Sequence, residues 1–150
     1  MKTFFFTLLG IGLAGIAVAQ IKNPVKWNYT AKKIADKTYE VHITAAIDQG
    51  WHIYSLDHKA EIGVATSVNF NTNPLATTNG KLEAKGKIVK KKDPYGTEMV
   101  KFYENNVDIV QVFKLKANVK TNISGSLEFM ACDDKQCLPP TKKQFSISLQ

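Results

Sequence analysis

Arginine is missing from this chain altogether, and cysteine occurs only twice in 150 residues. Without arginine there are no forked guanidinium groups to clasp phosphates or guanine edges, the usual tools of a nucleic-acid surface. The net charge of +7 is therefore carried by lysine alone. The densest basic run, Lys90-Lys91-Lys92, has no aromatic residue interleaved and reads as a solvated edge or turn. A milder role for the positive charge is steering toward an acidic protein partner. His42, His52 and His58 fit no recognised zinc spacing, so no metal site is expected. No serine lies in a Gly-x-Ser-x-Gly elbow, and no glycine-rich loop suits a phosphate. No fifteen-residue window carries an apolar stripe at helical spacing, and there is no internal repeat or low-complexity linker. The longest apolar run, residues 4–18, is short of the ~20 residues that span a bilayer.

That run belongs to an export signal. Lys2 supplies the positive start, 4–18 the apolar segment, and Ala17-Val18-Ala19 the small-residue cleavage site. No cysteine follows the site directly, so a lipid anchor is not indicated; an uncleaved anchor is the alternative. Residues 1–19 are thus expected as a signal peptide and 20–150 as a single domain, periplasmic or secreted, in a compartment where disulfides persist. Cleavage removes Lys2 and leaves a charge of +6.

Beyond the leader, alternation with a period of two dominates. Trp27, Tyr29 and Ala31 form one face of a strand, and Tyr39, Val41, Ile43, Ala45 and Ile47 form the face of another. Gln49-Gly50 turns into a strand at 51–54, and shorter strands follow at 67–70 and 81–89. A long β-rich stretch at 107–119 bends near Gln111, and 126–131 and 144–149 close the chain. Residues 88–103 read as a polar, mobile connection. Some eight short strands punctuated by glycine, proline and asparagine predict an all-β sandwich or barrel. Trp27 and Trp51 are expected in its core.

The two cysteines fall in Glu128-Phe-Met-Ala-Cys132-Asp-Asp-Lys-Gln-Cys137-Leu-Pro-Pro-Thr141. A bridge across so short a loop stabilises a fold by only about 2 kcal/mol, which is little for a structural staple. A turn-borne pair flanked by polar residues suits a disulfide that opens and closes, and a structural bridge is the alternative. The four-residue gap is not the two-residue gap of the thioredoxin motif. Asp133 and Asp134 should raise the thiol pKa values, and Lys135, Lys142 and Lys143 should lower them.

The segment from Cys132 to Pro140, with its paired prolines, resembles the N-terminal periplasmic domain of the thiol:disulfide interchange protein DsbD. Gly50-Trp51-His52-Ile53-Tyr54 resembles that family's aromatic strand after a glycine turn, and Asp93-Pro94-Tyr95-Gly96-Thr97-Glu98 its loop capping the cysteines. The resemblance implies an immunoglobulin-like β-sandwich in which Cys132 and Cys137 cycle between dithiol and disulfide. It implies that Cys137 forms the mixed disulfide and Cys132 resolves it. Tyr54 and Tyr95 would shield the sulfurs, with Pro94 and Gly96 shaping the cap and Asp93 available as a proton acceptor. Electrons would come from a thioredoxin-like protein or membrane electron carrier encoded separately, and pass to oxidised exported proteins, with a link to cytochrome c biogenesis. No cofactor is implied, because the electrons travel in the sulfurs. Three departures stand out. The cysteine gap is one residue shorter than in well-known members, Pro94 replaces an aromatic cap residue, and the sequence ends just after its last strand. The rival reading is a non-catalytic sandwich that binds protein or glycan and carries a structural disulfide.

Overall fold

Alternation in the sequence becomes alternation in burial. The computed structural model describes residues 22–59, 61–92 and 98–150. Residues 1–21, which include the expected signal peptide, and the segment 93–97, with Asp93, Pro94, Tyr95 and Gly96, lie outside the described residues. Strand β1 (Val25–Ala35) half-buries Trp27, Tyr29 and Ala31, and β2 (Thr38–Ile47) buries Tyr39, Val41, Ile43, Ala45 and Ile47. They form an antiparallel hairpin across Lys37, which takes a positive φ of 53°. β3 (His52–Tyr54) and β4 (Ser67–Phe70) follow, then β5 (Ala76–Lys85), β6 (Ile88–Lys92), β7 (Met99–Glu104) and β8 (Asn106–Leu115). β9 (Thr121–Phe129), β10 (Ala131–Cys132) and β11 (Thr141–Leu149) complete the chain.

The strands make three antiparallel sheets, ordered β1-β2-β8-β5, β10-β3-β7-β6 and β11-β9-β4. Aromatic rings stitch the first sheet to the third. Trp27 meets Phe129 at 5.2 Å between centroids, Tyr29 stacks on Phe145 at 5.4 Å, and Phe70 meets Phe113 edge-on at 5.0 Å. Ile43, Ile109, Ile123, Leu127 and Leu149 fill the space between the sheets. The result is the all-β sandwich that the alternation predicts, with Trp27 and Trp51 packed against the core but only half-buried.

Several boundaries differ from the sequence reading. Residues 81–89 are not one strand. Gly86 and Lys87 separate β5 from β6, which belong to different sheets, and Ile88 is 41% exposed rather than continuing the apolar face. Most of the expected polar connection 88–103 is the β6–β7 pairing, because β7 buries Val100 and Phe102 on one face and Tyr103 on the other. The irregularity near Gln111 lies in the neighbouring strand. β8 runs on, while β5 shifts register between Asn79 and Glu83. Gln111, 4% exposed, donates from Nε2 to the carbonyls of Gly80 and Val112 at that bulge. Finally, 126–131 splits at Met130, so that Phe129 ends the third sheet and Ala131–Cys132 joins the second.

Candidate functional site: an asymmetric disulfide at the rim of a groove

Cys132 and Cys137 face each other across a tight hairpin. Leu138 N donates to Ala131 O and Asp133 N to Gln136 O, both at 2.8 Å, which brackets the cysteines as an antiparallel pair without hydrogen bonds of its own. Side chains approach most closely at such pairs. The cysteines accordingly sit 4.0 Å apart at Cα and are joined as a disulfide of 2.02 Å. Asp133 builds the tip: its Oδ1 accepts from the amides of Lys135 and Gln136, each at 2.8 Å. Those amides hold its carboxyl below the ordinary carboxylate range, the Lys135 amide most of all. Beyond Cys137, Pro139 and Pro140 keep the chain extended on its way into β11. The two sulfurs are unequal, since Cys132 is 1% exposed and Cys137 lies in the solvent-facing part of the turn.

A groove of about 380 Å³ opens beside the pair, with His52, Tyr54, Val100 and Phe102 as its floor. Pairing of β10 with β3 sets Cys132 directly opposite His52, and pairing of β3 with β7 sets Tyr54 opposite Phe102. The Tyr54 hydroxyl donates to Cys132 Sγ at 3.8 Å. Its ring lies against His58 at 4.3 Å, and His58 Nε2 donates to the carbonyl of Ile62 at 2.7 Å. Gly63, at φ 89°, makes room for Tyr54, because a Cβ there would sit 2.2 Å from the ring. The His52 ring packs on Phe102 at 4.3 Å and meets the edge of Tyr54 at 5.7 Å. Burial pushes the His52 imidazole below its ordinary pKa of 6.5, and Lys91 adds to this against the opposing pull of Glu104, Asp134 and Asp133.

The structure therefore brings Tyr54 to the cysteines. Of the lysines considered for the cysteine environment, Lys135 lines the groove, joined by Lys91 and Lys92, whereas Lys142 and Lys143 sit in β11 outside it. Sequence reasoning missed His52, Phe102 and Lys91 as parts of the site. The signal for His52 was present, because period two places it on the same face as Tyr54. His42 pairs instead with Asp108 at 2.8 Å on the first sheet. Among the described residues no group of three or more histidine, cysteine or acidic side chains could hold a metal ion.

Residues 20–149 match the family described as the N-terminal part of the thiol:disulfide interchange protein DsbD. Among solved structures, the reduced N-terminal domain of DsbD from Neisseria meningitidis is similar with a TM-score of 0.50 and 17% identity, over 80% of this chain and 83% of that one. The N-terminal periplasmic domain of ScsB from Proteus mirabilis gives a TM-score of 0.57 at 16% identity, over 85% of this chain and 47% of that one. A complex of the DsbD and PilB N-terminal domains from N. meningitidis gives 0.51 at 17% identity, over 81% and 80%. At such identities the likeness is one of fold, an immunoglobulin-like β-sandwich. None of the curated proteins matches this sequence. The match over nearly the whole of the expected mature chain, on a sandwich that holds its two cysteines at disulfide distance, makes this chain a member of the family of DsbD N-terminal domains.

Proposed function

We propose that this protein is an exported thiol–disulfide exchange module, whose Cys132–Cys137 pair passes electrons between a thioredoxin-like donor and oxidised protein partners. The observation that carries the reading is the inequality of the sulfurs: one exposed on a turn, the other buried under a tyrosine hydroxyl. Exchange needs one sulfur open to the partner and a second within reach to resolve the mixed species. In the reductive direction a partner thiolate attacks Cys137 Sγ, the bond to Cys132 breaks, and its electron pair leaves on Cys132 as a thiolate. The partner's second thiolate then attacks its own bridged sulfur and releases Cys137. The reverse sequence reduces an oxidised partner, with Cys132 as the resolving thiolate. The sulfurs alone carry the two electrons, so the step needs no resident cofactor.

The donor in this reading is a separate thioredoxin-like protein or membrane electron carrier, and the acceptors are oxidised exported proteins. One DsbD relative has been solved with a PilB domain, which supports a protein partner for this domain. Residues 1–19 act as the export signal, and a periplasmic location accords with the ScsB relative. Asp93, Pro94, Tyr95 and Gly96, which join β6 to β7 in the chain, act as the cap over the sulfurs. Single-cysteine variants test the reading in whole cells. Cys132→Ala should accumulate a mixed disulfide through Cys137 with a thioredoxin-like protein, while Cys137→Ala should trap little. Equal trapping by both would reverse the assignment of roles. No trapping by either would leave the bridge structural.

A further inference from the structure

The buried sulfur raises a question of charge. When the disulfide opens, Cys132 leaves as an anion at a position 1% exposed, where water cannot solvate it well. The Tyr54 hydroxyl offers one neutral donor. The strand register places a second, ionisable group at the same spot. His52 is the cross-strand partner of Cys132, so both side chains project from the same face of the sheet at neighbouring Cβ positions. Both line the groove, and the imidazole is fixed there by packing on Phe102 and the edge of Tyr54. The charged groups around His52 are Glu104 on β7, Lys91 on β6, and Asp134 and Asp133 on the cysteine turn.

We propose that His52 is the proton carrier of this disulfide, taking up a proton as Cys132 leaves, holding it beside the thiolate, and returning it when the bond closes. The inference rests on the exchange reading above and adds to it the group that balances charge. In the first reductive step the partner's sulfur becomes bonded to Cys137 and the electron pair of the broken bond stays on Cys132. The proton given up by the partner's thiol on ionising passes to water, and water supplies one to His52. In the oxidised protein burial favours the neutral imidazole. A new negative charge on its cross-strand neighbour reverses that preference, since an opposite charge within a few ångströms favours the ionised form.

The test is an NMR titration of the histidine rings of the purified protein between pH 5 and 9, with the disulfide intact and after reduction by a phosphine. His52 should titrate below 6.5 when oxidised. It should move upward by about one pH unit or more on reduction, the scale of a close opposite charge. His42, paired with Asp108 on the first sheet, is the ring away from the cysteines. In reduced Cys132→Ala, which has no leaving thiolate, the upward move should vanish. An unchanged His52 titration in the wild-type protein overturns the proposal, as does an equal rise in Cys132→Ala. The wild-type comparison decides by itself if the variant fails to fold. A second readout is thiolate absorbance: Cys132 should ionise below the ordinary thiol value of about 8.5 in the wild-type protein and at or above it in His52→Gln. The same midpoint in both proteins refutes the pairing. A disulfide that exchanges with thioredoxin while His52 titrates identically in both states defeats this inference alone. A disulfide that opens only to the phosphine defeats the exchange reading.

Discussion

Reducing the Cys132–Cys137 bond should leave the sandwich folded and lower its stability by about 2 kcal/mol. The bond links residues five positions apart. The loop-closure entropy of so small a ring is about 7 cal/mol/K, or about 2 kcal/mol at 25 °C. Nothing in the main core depends on it. Cys132 packs with Tyr54, Val100 and Phe102 in a small cluster, while the large one joins Val41, Ile109, Leu127 and Leu149 across the sheets. Urea unfolding of the oxidised protein, the reduced protein and the double variant Cys132→Ala/Cys137→Ala measures the effect. The reduced form isolates the cross-link, and the double variant should lose about 1 kcal/mol more, for the buried sulfur that alanine does not replace. A thermodynamic cycle supplies an independent check. If the bond stabilises the fold by 2 kcal/mol, it is about 40 mV harder to reduce in the folded protein than in the unfolded chain. A loss above about 5 kcal/mol, or unfolding on reduction, would refute the reasoning and identify the bridge as a structural staple.

Tyr54→Phe should cost about 1 kcal/mol in denaturant melts and raise the pH at which Cys132 ionises, because it removes a hydrogen-bond donor to the sulfur. Gly63→Ala should destabilise by about 1 kcal/mol or more and change the rate of disulfide reduction, since its Cβ would displace the Tyr54 ring from a position of positive φ. Gly125→Ala should be worse for the fold, by about 2 kcal/mol or more, because its Cβ would lie 2.3 Å from the Asn69 carbonyl oxygen, an atom of backbone that cannot swing aside. Pro94→Gly or Tyr95→Ala should speed reduction by glutathione if 93–97 cap the sulfurs, and unchanged rates in both would remove the cap from the proposal. The depressed pKa of His52 has a fixed sign in stability. The unfolded chain takes its proton first, so this contribution is complete above pH 6.5 and is lost as pH falls through the folded value. Melting curves of His52→Gln should lack that part of the acid dependence.

The strands whose apolar residues alternate strictly were legible, β2 above all, because one face of that sheet is buried and the register has no freedom. β6 was not, since its lysines hide the alternation and its pairing depends on Phe102 and Val100 some ten residues away. The step from β9 to β10 was also invisible. Nothing local to Phe129-Met130-Ala131 says that consecutive residues pack into different sheets. At the site, the cysteine spacing and Tyr54 could be read directly. His52 was passed over because a lone histidine beside a tryptophan has no motif, and its meaning comes from a cross-strand partner, Cys132, far along the chain.

The two hydrogen bonds that bracket the cysteines, Asp133 to Gln136 and Leu138 to Ala131, belong to the backbone and do not involve the sulfurs. With the Asp133 carboxylate gripping the tip, the hairpin is held by groups other than the disulfide. In the exchange reading a partner would then meet the same outline in either state and learn which one it faces only on reaching the sulfur. In that reading the sense of traffic would be imposed by the potentials of the proteins on either side, with this domain as a reversible contact between them.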